Sequence, residues 1–229
     1  MAKEPKKARK AVKKIERADK KAARAAAKRA DHPVAKAVAV VGKFGDQPPL
    51  LALSAGVLAM GWWRGDRRTM RAGARMLAAE AVSIVLKDLV KRAVTRTRPH
   101  LLVDKGHYEL RFGGPHDGPY NSFPSGHTAG AVAVSRALAR EYPEGDLPAY
   151  AAAATIAVGQ IPASAHYPTD ITAGAAVGYI SEWLVDQAVQ AIDARLERAP
   201  HGAALGAGGE ETPLVIEPVE QPERHLAIV

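Results

Sequence analysis

Between residues 33 and 198 the chain is built from apolar runs of helical length separated by short polar breaks. These runs predict four or five helices and no strand. Leu50 to Trp63 is apolar throughout and closes on Trp62-Trp63, an aromatic pair of the kind found at membrane interfaces. Met70 to Val90 is longer but carries Arg71, Arg75, Glu80, Lys87 and Asp88. Ser125 to Tyr142 contains Arg136 and Arg140, Leu147 to Ala165 has no charged residue, and Asp170 to Ile192 stays apolar until Glu182. No internal repeat interrupts this order.

The expected fold class is all-α: a helical bundle read as a polytopic membrane protein with four to six membrane helices. The competing reading is an alanine-rich soluble bundle. A span takes roughly 20 apolar residues, and several of these runs are short or interrupted. Charges inside a span face the bundle interior, which suits Lys87 and Asp88 beside a polar site. The pairs Gly126/Gly130 and Gly174/Gly178 allow close helix packing. Five arginines between 64 and 75 assign that loop to the cytoplasmic side. The helix after it then runs outward, which puts the chemistry on the extracytoplasmic face of the cell membrane. A cytoplasmic N-terminus would require 33–46 to cross, a stretch that is short and holds Lys36 and Lys43.

Charge divides the chain further. Of 229 residues with a net charge of +8, residues 1–31 hold 13 Lys/Arg against 4 Asp/Glu. The remaining residues are nearly balanced, at 19 against 20. Three regions result: a basic, helix-prone or disordered tail over 1–32, a helical domain over 33–198, and a disordered acidic tail over 199–229. The basic tail lacks an apolar stripe wide enough for a core. It reads as a solvated arm or as one held against an anionic lipid surface. Nucleic acid is disfavoured because the tail has no aromatics to stack on bases. No signal peptide fits the basic stretch, and with no cysteine neither disulfides nor thiolate metal sites are available.

Three short clusters carry the chemistry: Lys91 with Arg98-Pro99, Pro124-Ser125-Gly126-His127, and His166 with Asp170. The first offers a guanidinium that grips two phosphate oxygens and an ammonium point charge, with Pro99 expected to stop the preceding helix. Ser125 and Gly126 open a helix whose first N–H groups point at an anion, and His127 is placed to protonate a leaving oxygen. Pro168 breaks the helical path between His166 and Asp170, so a turn should fold the carboxylate towards the ring. That arrangement leaves the other ring nitrogen free to attack phosphorus. Each cluster alone also has a plain structural reading: a basic stretch, a Pro-Ser helix start, a capping aspartate. Two histidines and one aspartate lack the ligand spacing of a zinc site.

At these residues the chain resembles the phosphatidic acid phosphatase type 2 superfamily, which includes lipid phosphate phosphatases, bacterial acid phosphatases and vanadium haloperoxidases. The resemblance runs over roughly 50–192. It implies a metal-independent, cofactor-free phosphatase acting on a phosphomonoester or diphosphate of a phospholipid or polyprenyl lipid. By resemblance His166 forms a phosphohistidine, Asp170 orients it, and His127 is general acid and then base. Lys91, Arg98, Ser125 and Gly126 hold the phosphoryl oxygens. The family's Ser-Arg pair falls on Gly159-Gln160, so Gln160 stands in the phosphate-binding set where the family has an arginine, with Arg96 or another nearby cation as substitute. Two alternatives follow: a non-catalytic phospholipid-binding membrane protein on the same scaffold, and a soluble acid phosphatase.

Overall fold

Eight helices and a two-stranded ribbon follow one another along the computed structural model, which describes residues 6–114 and 117–198. Helix α1 is Lys6–Ala27, α2 Pro33–Gly42, α3 Gln47–Arg64 and α4 Arg67–Ala93. Strand β1 (Val94–Arg96), helix α5 (Pro99–Lys105) and strand β2 (Leu110–Phe112) come next, then α6 Gly126–Glu141, α7 Asp146–Gly159 and α8 Pro168–Arg198. By internal contacts the chain divides into units 1–192 and 193–229, the second described only over 193–198, the end of α8. The acidic tail expected over 199–229 lies outside the described residues.

Local chemistry sets the helix ends. Gly65 adopts φ 67° to close α3, and Asp66 then caps α4 by accepting from the Arg68 and Thr69 N–H groups. Pro99 does not stop the second predicted helix. α4 ends earlier, at Ala93, where the chain extends into β1, and Pro99 takes the first position of α5, where its missing N–H costs nothing. The ribbon was not foreseen: β1 and β2 pair antiparallel, Thr95 opposite Arg111. Three-residue strands carry too little pattern to be read from sequence.

The core gathers Leu50, Met76, Ala79, Ala133, Val134, Ala137 and Val185 from α3, α4, α6 and α8. Glycines let the helices approach. A Cβ at Gly174 would strike the Ser125 carbonyl, and one at Gly178 the Ala129 carbonyl, so α8 lies directly on the start of α6.

The expected four to six membrane helices are not found: no helix among the described residues is long and apolar enough to cross a membrane. α6 and α7 have only 16 and 14 residues, while α4 and α8 are interrupted by buried charges. Three of the five arginines that suggested a cytoplasmic loop, Arg68, Arg71 and Arg75, also pair with acidic groups across helices. Arg75 pairs with Glu141 and Asp186 at 2.8 Å, and Arg68 with Glu144 at 2.8 Å. Large apolar side chains nonetheless lie exposed, with Trp62 at 75% and Trp63 at 80%. The basic arm also departs from a solvated tail, because α1 packs against α5 and buries Asp19 and Ala23.

Candidate active site

Backbone hydrogen bonds stitch the three sequence clusters together. Ser122 N–H donates to the Arg96 carbonyl at 2.9 Å, and Arg98 N–H to the Pro119 carbonyl at 2.8 Å. His100 N–H reaches the Ser164 carbonyl, and Ser125 N–H the Asp170 carbonyl at 3.0 Å. Between them opens a cleft of about 300 Å³ whose walls include Lys87, Lys91, Arg98, Gly126, His127 and His166.

One wall is cationic. Lys91 Nζ donates to the Asn121 carbonyl at 2.6 Å, and Arg98 Nη2 to the Asn121 side-chain oxygen at 3.1 Å. Arg98 Nε is buried with no partner, an unusual state for a charged donor and a fitting one for an anion site. Burial, with the Arg98 and Lys87 charges adding to it, brings Lys91 down to about 8. Burial likewise lowers Arg98, against the pull of Asp170 and Asp46. The stem of Lys87 lies over Gly126, and its ammonium is held by Asp88 at 2.5 Å.

The two histidine rings face each other edge to face with centroids 6.1 Å apart. His166 is 2% exposed. Its Nδ1 lies 2.7 Å from the Ser122 carbonyl and 3.8 Å from Asp170 Oδ2. A carbonyl accepts only, so Nδ1 carries the proton and Nε2 keeps its lone pair. The expected carboxylate–histidine contact is therefore replaced by a carbonyl, with Asp170 acting at longer range. Asp170 is fully buried. Its Oδ2 accepts from the Ser122 hydroxyl at 2.5 Å and the Tyr167 N–H at 2.8 Å, and Oδ1 meets Arg96 at 2.5 Å. Burial alone would push the Asp170 carboxyl up, but His166, Arg96 and Ser122 hold it below the ordinary range. Burial also lowers His166, with Asp170 opposing. His127 Nε2 meets Asp46 Oδ1 at 2.7 Å, and burial lowers this histidine too, with Asp46 opposing.

Six of the eight predicted site residues converge here: Lys91, Arg98, Gly126 and both histidines in the cleft wall, and Asp170 behind His166. Ser125 is placed differently. Its hydroxyl is fully buried and caps α6, accepting from Thr128 N–H at 3.4 Å and Thr128 hydroxyl at 3.0 Å. Gln160 does not reach the cleft. Its amide donates to the Gly42 and Ile156 carbonyls at 3.0 and 3.2 Å, joining α2 to α7. Arg96, the suggested substitute cation, is spent on Asp170 and Asp19. Sequence reasoning missed Asn121, Ser122 and Asp46. The first two precede Pro124 by only a few residues, a weak signal, and Asp46 gave none.

Among the described residues, no group of three or more His, Cys, Asp or Glu could hold a metal ion. The lipid A 1-phosphatase of Rhizobium etli is 33% identical to this chain over 108 residues, 46% of this chain and 45% of that protein. The Rhizobium johnstonii lipid A 1-phosphatase is 33% identical over 106 residues, 46% and 43% of the two chains. The chain thus spans less than half the length of these relatives. Two crystal structures share the fold. Aquifex aeolicus LpxE has a TM-score of 0.55 at 22% identity, covering 72% of this chain and 92% of its own. The transmembrane PAP2-type phosphatidylglycerolphosphate phosphatase of Bacillus subtilis has a TM-score of 0.54 at 19% identity, covering 81% and 89%. A profile of the PAP2 superfamily matches residues 71–193, just over half the chain, and the chain belongs to that superfamily.

Proposed function

We propose that this protein is a phosphatase that removes phosphate from a lipid phosphomonoester or diphosphate at a membrane, through a phosphohistidine at His166. The carrying observation is the state of His166: buried, its Nδ1 proton given to the Ser122 carbonyl, its Nε2 unpartnered in the wall of a cationic cleft. A neutral imidazole held in this tautomer is a nucleophile, and three cations around it bind the group it attacks.

In this mechanism Lys91 and Arg98 hold the phosphoryl oxygens, with the N–H groups at the start of α6 and the Lys87 ammonium beside them. His166 Nε2 forms a bond to phosphorus as the bond to the leaving oxygen breaks, and His127 delivers its proton to that oxygen. Asp170 steadies the positive charge on His166. Water then attacks the phosphohistidine, its proton passes to His127, and the P–N bond breaks to release phosphate. The leaving group exits on the His127 side. There a second groove begins at His127 and Asp46 and runs past Ala39, Val40, Ala163 and Ala165, small side chains that leave room for a lipid, with Lys36, Lys43 and Gln160 along its polar side. The names of the relatives support a lipid substrate, and exposed Trp62 and Trp63 support contact with a bilayer interface.

The test is phosphate release by the detergent-purified protein, with EDTA present, from phosphatidic acid, phosphatidylglycerol phosphate, polyprenyl diphosphate and lipid A. Release that disappears in His166→Ala, with vanadate blocking the wild type, is the expected result. No release from a folded wild type that still binds vanadate would favour the non-catalytic lipid-binding reading. Loss with EDTA would end the metal-independent mechanism.

A further inference from the structure

In an arm that is mostly basic, one acidic side chain is fully buried. Asp19 is 2% exposed, and Ala23, one turn on, packs with Leu102 and Tyr167. Asp19 Oδ2 meets Arg96 Nη2 at 2.7 Å and accepts from the Thr169 hydroxyl. Its Oδ1 accepts from the Thr169 backbone N–H at 3.3 Å. Thr169 is the second residue of α8, so this N–H is one of the donors a helix start leaves without a partner. Asp19 therefore caps α8 from α1. Arg96 gives its other terminal nitrogen to Asp170 Oδ1 at 2.5 Å and to the Thr169 hydroxyl at 2.7 Å.

Two carboxylates thus divide one guanidinium. With Asp170 as its only carboxylate, Arg96 would turn its whole charge on it and weaken the negative field that Asp170 exerts on His166. Asp19 draws off part of that cation and pins the turn that carries Asp170. We propose that Asp19 is a positioning residue for the Asp170–His166 pair, which makes the N-terminal helix a working part of the active site. The inference rests on the reading of His166 as the nucleophile. Asp19 lies outside the stretch, 71–193, that matches the superfamily, so this link belongs to a part of the chain the match does not cover.

The charged and titratable groups around the link are few. Lys13, Glu16, Lys20, Tyr108, Arg111 and Tyr167 stand about Arg96 and Asp19. Asp170, Arg98, Lys91 and His127 stand about His166. Removing the Asp19 charge leaves His166 in a less negative field. The ring then gives up its proton at lower pH and attacks phosphorus less readily.

The experiment uses full-length Asp19→Asn, Asp19→Glu and Glu16→Gln beside the wild type. Glu16 is the control: it reaches the same region by accepting from the Tyr108 hydroxyl at 3.3 Å. The readouts are the His166 titration, followed by NMR of histidine-labelled protein, and the pH profile of phosphate release. In Asp19→Asn the His166 midpoint and the acid limb should both move down by about half a pH unit to one unit. Turnover should fall about tenfold with KM within about twofold, the order of loss for a partner one step removed from a reacting group. Asp19→Glu should recover most of this, and Glu16→Gln should change none of it. An unmoved His166 titration in folded Asp19→Asn, or equal losses in Glu16→Gln, overturns the proposal. If Asp19→Asn does not fold, Thr169→Val removes the hydroxyl shared by Asp19 and Arg96 and should move the titration the same way; no movement there overturns it too. If the wild type releases no phosphate, the phosphatase reading fails while the titration still decides the role of Asp19.

Discussion

Both ends of the helix bundle bury charge, but they balance it differently. At one end Arg75, Arg136 and Arg140 meet Glu141, Glu182 and Asp186, with contacts from 2.8 to 3.2 Å. Three cations face three carboxylates, and the charges close on one another. At the other end Lys87, Lys91 and Arg98 line a cleft whose carboxylates, among the described residues, are Asp46 and Asp88. Removing charge from water is tolerable when a partner is built in, and otherwise the site awaits one. The balanced end holds α4, α6 and α8 in place, and the unbalanced end turns cationic groups towards an open cleft.

Breaking one cation at each end tests this contrast most strongly. Arg98→Ala should cut kcat/KM by about 10²–10³, the loss seen when one donor to a developing oxyanion is removed, with little change in thermal stability. Arg75→Ala should instead cost about 1.5–3 kcal/mol of stability, because it leaves Asp186 with Arg140 and Gln190 and Glu141 with Arg71 as their remaining partners, while the folded fraction turns over normally. Chemical denaturation beside kinetics separates the two, and equal losses of activity at intact stability would dissolve the distinction.

Lys91 gives a subtler, pH-dependent version. Near a value of about 8 it is charged below and neutral above, so substrate affinity should fall as pH rises through 8, about tenfold by one unit above. Bound phosphate opposes this by favouring the charged form. Stability runs the other way. The unfolded chain keeps this proton up to about 10.5, so folding gains stability between about 8 and 10.5 as pH rises. Lys91→Arg should flatten the alkaline rise in KM.

Gln160→Ala should cost about 1–3 kcal/mol, since it strips two buried carbonyls of their donor, and leave phosphate affinity within about twofold. Gln160→Arg should give no gain in turnover. A gain would return this position to the phosphate site. The smallest effect on stability is expected from Trp62→Ser with Trp63→Ser, within about 0.5 kcal/mol for side chains this exposed. The same variant should bind less to phospholipid vesicles in a flotation assay, and unchanged binding would remove these residues from the membrane contact.

Much of the candidate site was legible because the chemistry proposed for it needs particular residue types at short spacings. Lys91, Arg98, Gly126, His127, His166 and Asp170, the residues the fold gathers, could be named from the chain alone, as could α3, α4 and α6 to within three residues of their ends and α7 and α8 with one end each missed by six. What failed were inferences about where a side chain points. Ser125 and Gln160 matched their motif positions, yet one hydroxyl is spent on capping α6 and one amide on joining two helices. The arginines after Trp63 read as a topology signal because a one-dimensional pattern cannot register that their partners lie about 70 residues on, at Glu141 and Glu144.

The sequence by itself determined the helical class and the order of the three clusters. Periodicity and residue chemistry are local properties, and each cluster spans only a few residues. Only the tertiary structure decided which nitrogen of His166 is free, which arginine faces the cleft and which is locked behind it, and that a basic N-terminal arm reaches the back of the site through Asp19. Those outcomes depend on hydrogen bonds and ion pairs between residues 23 to 150 positions apart, which no local pattern encodes.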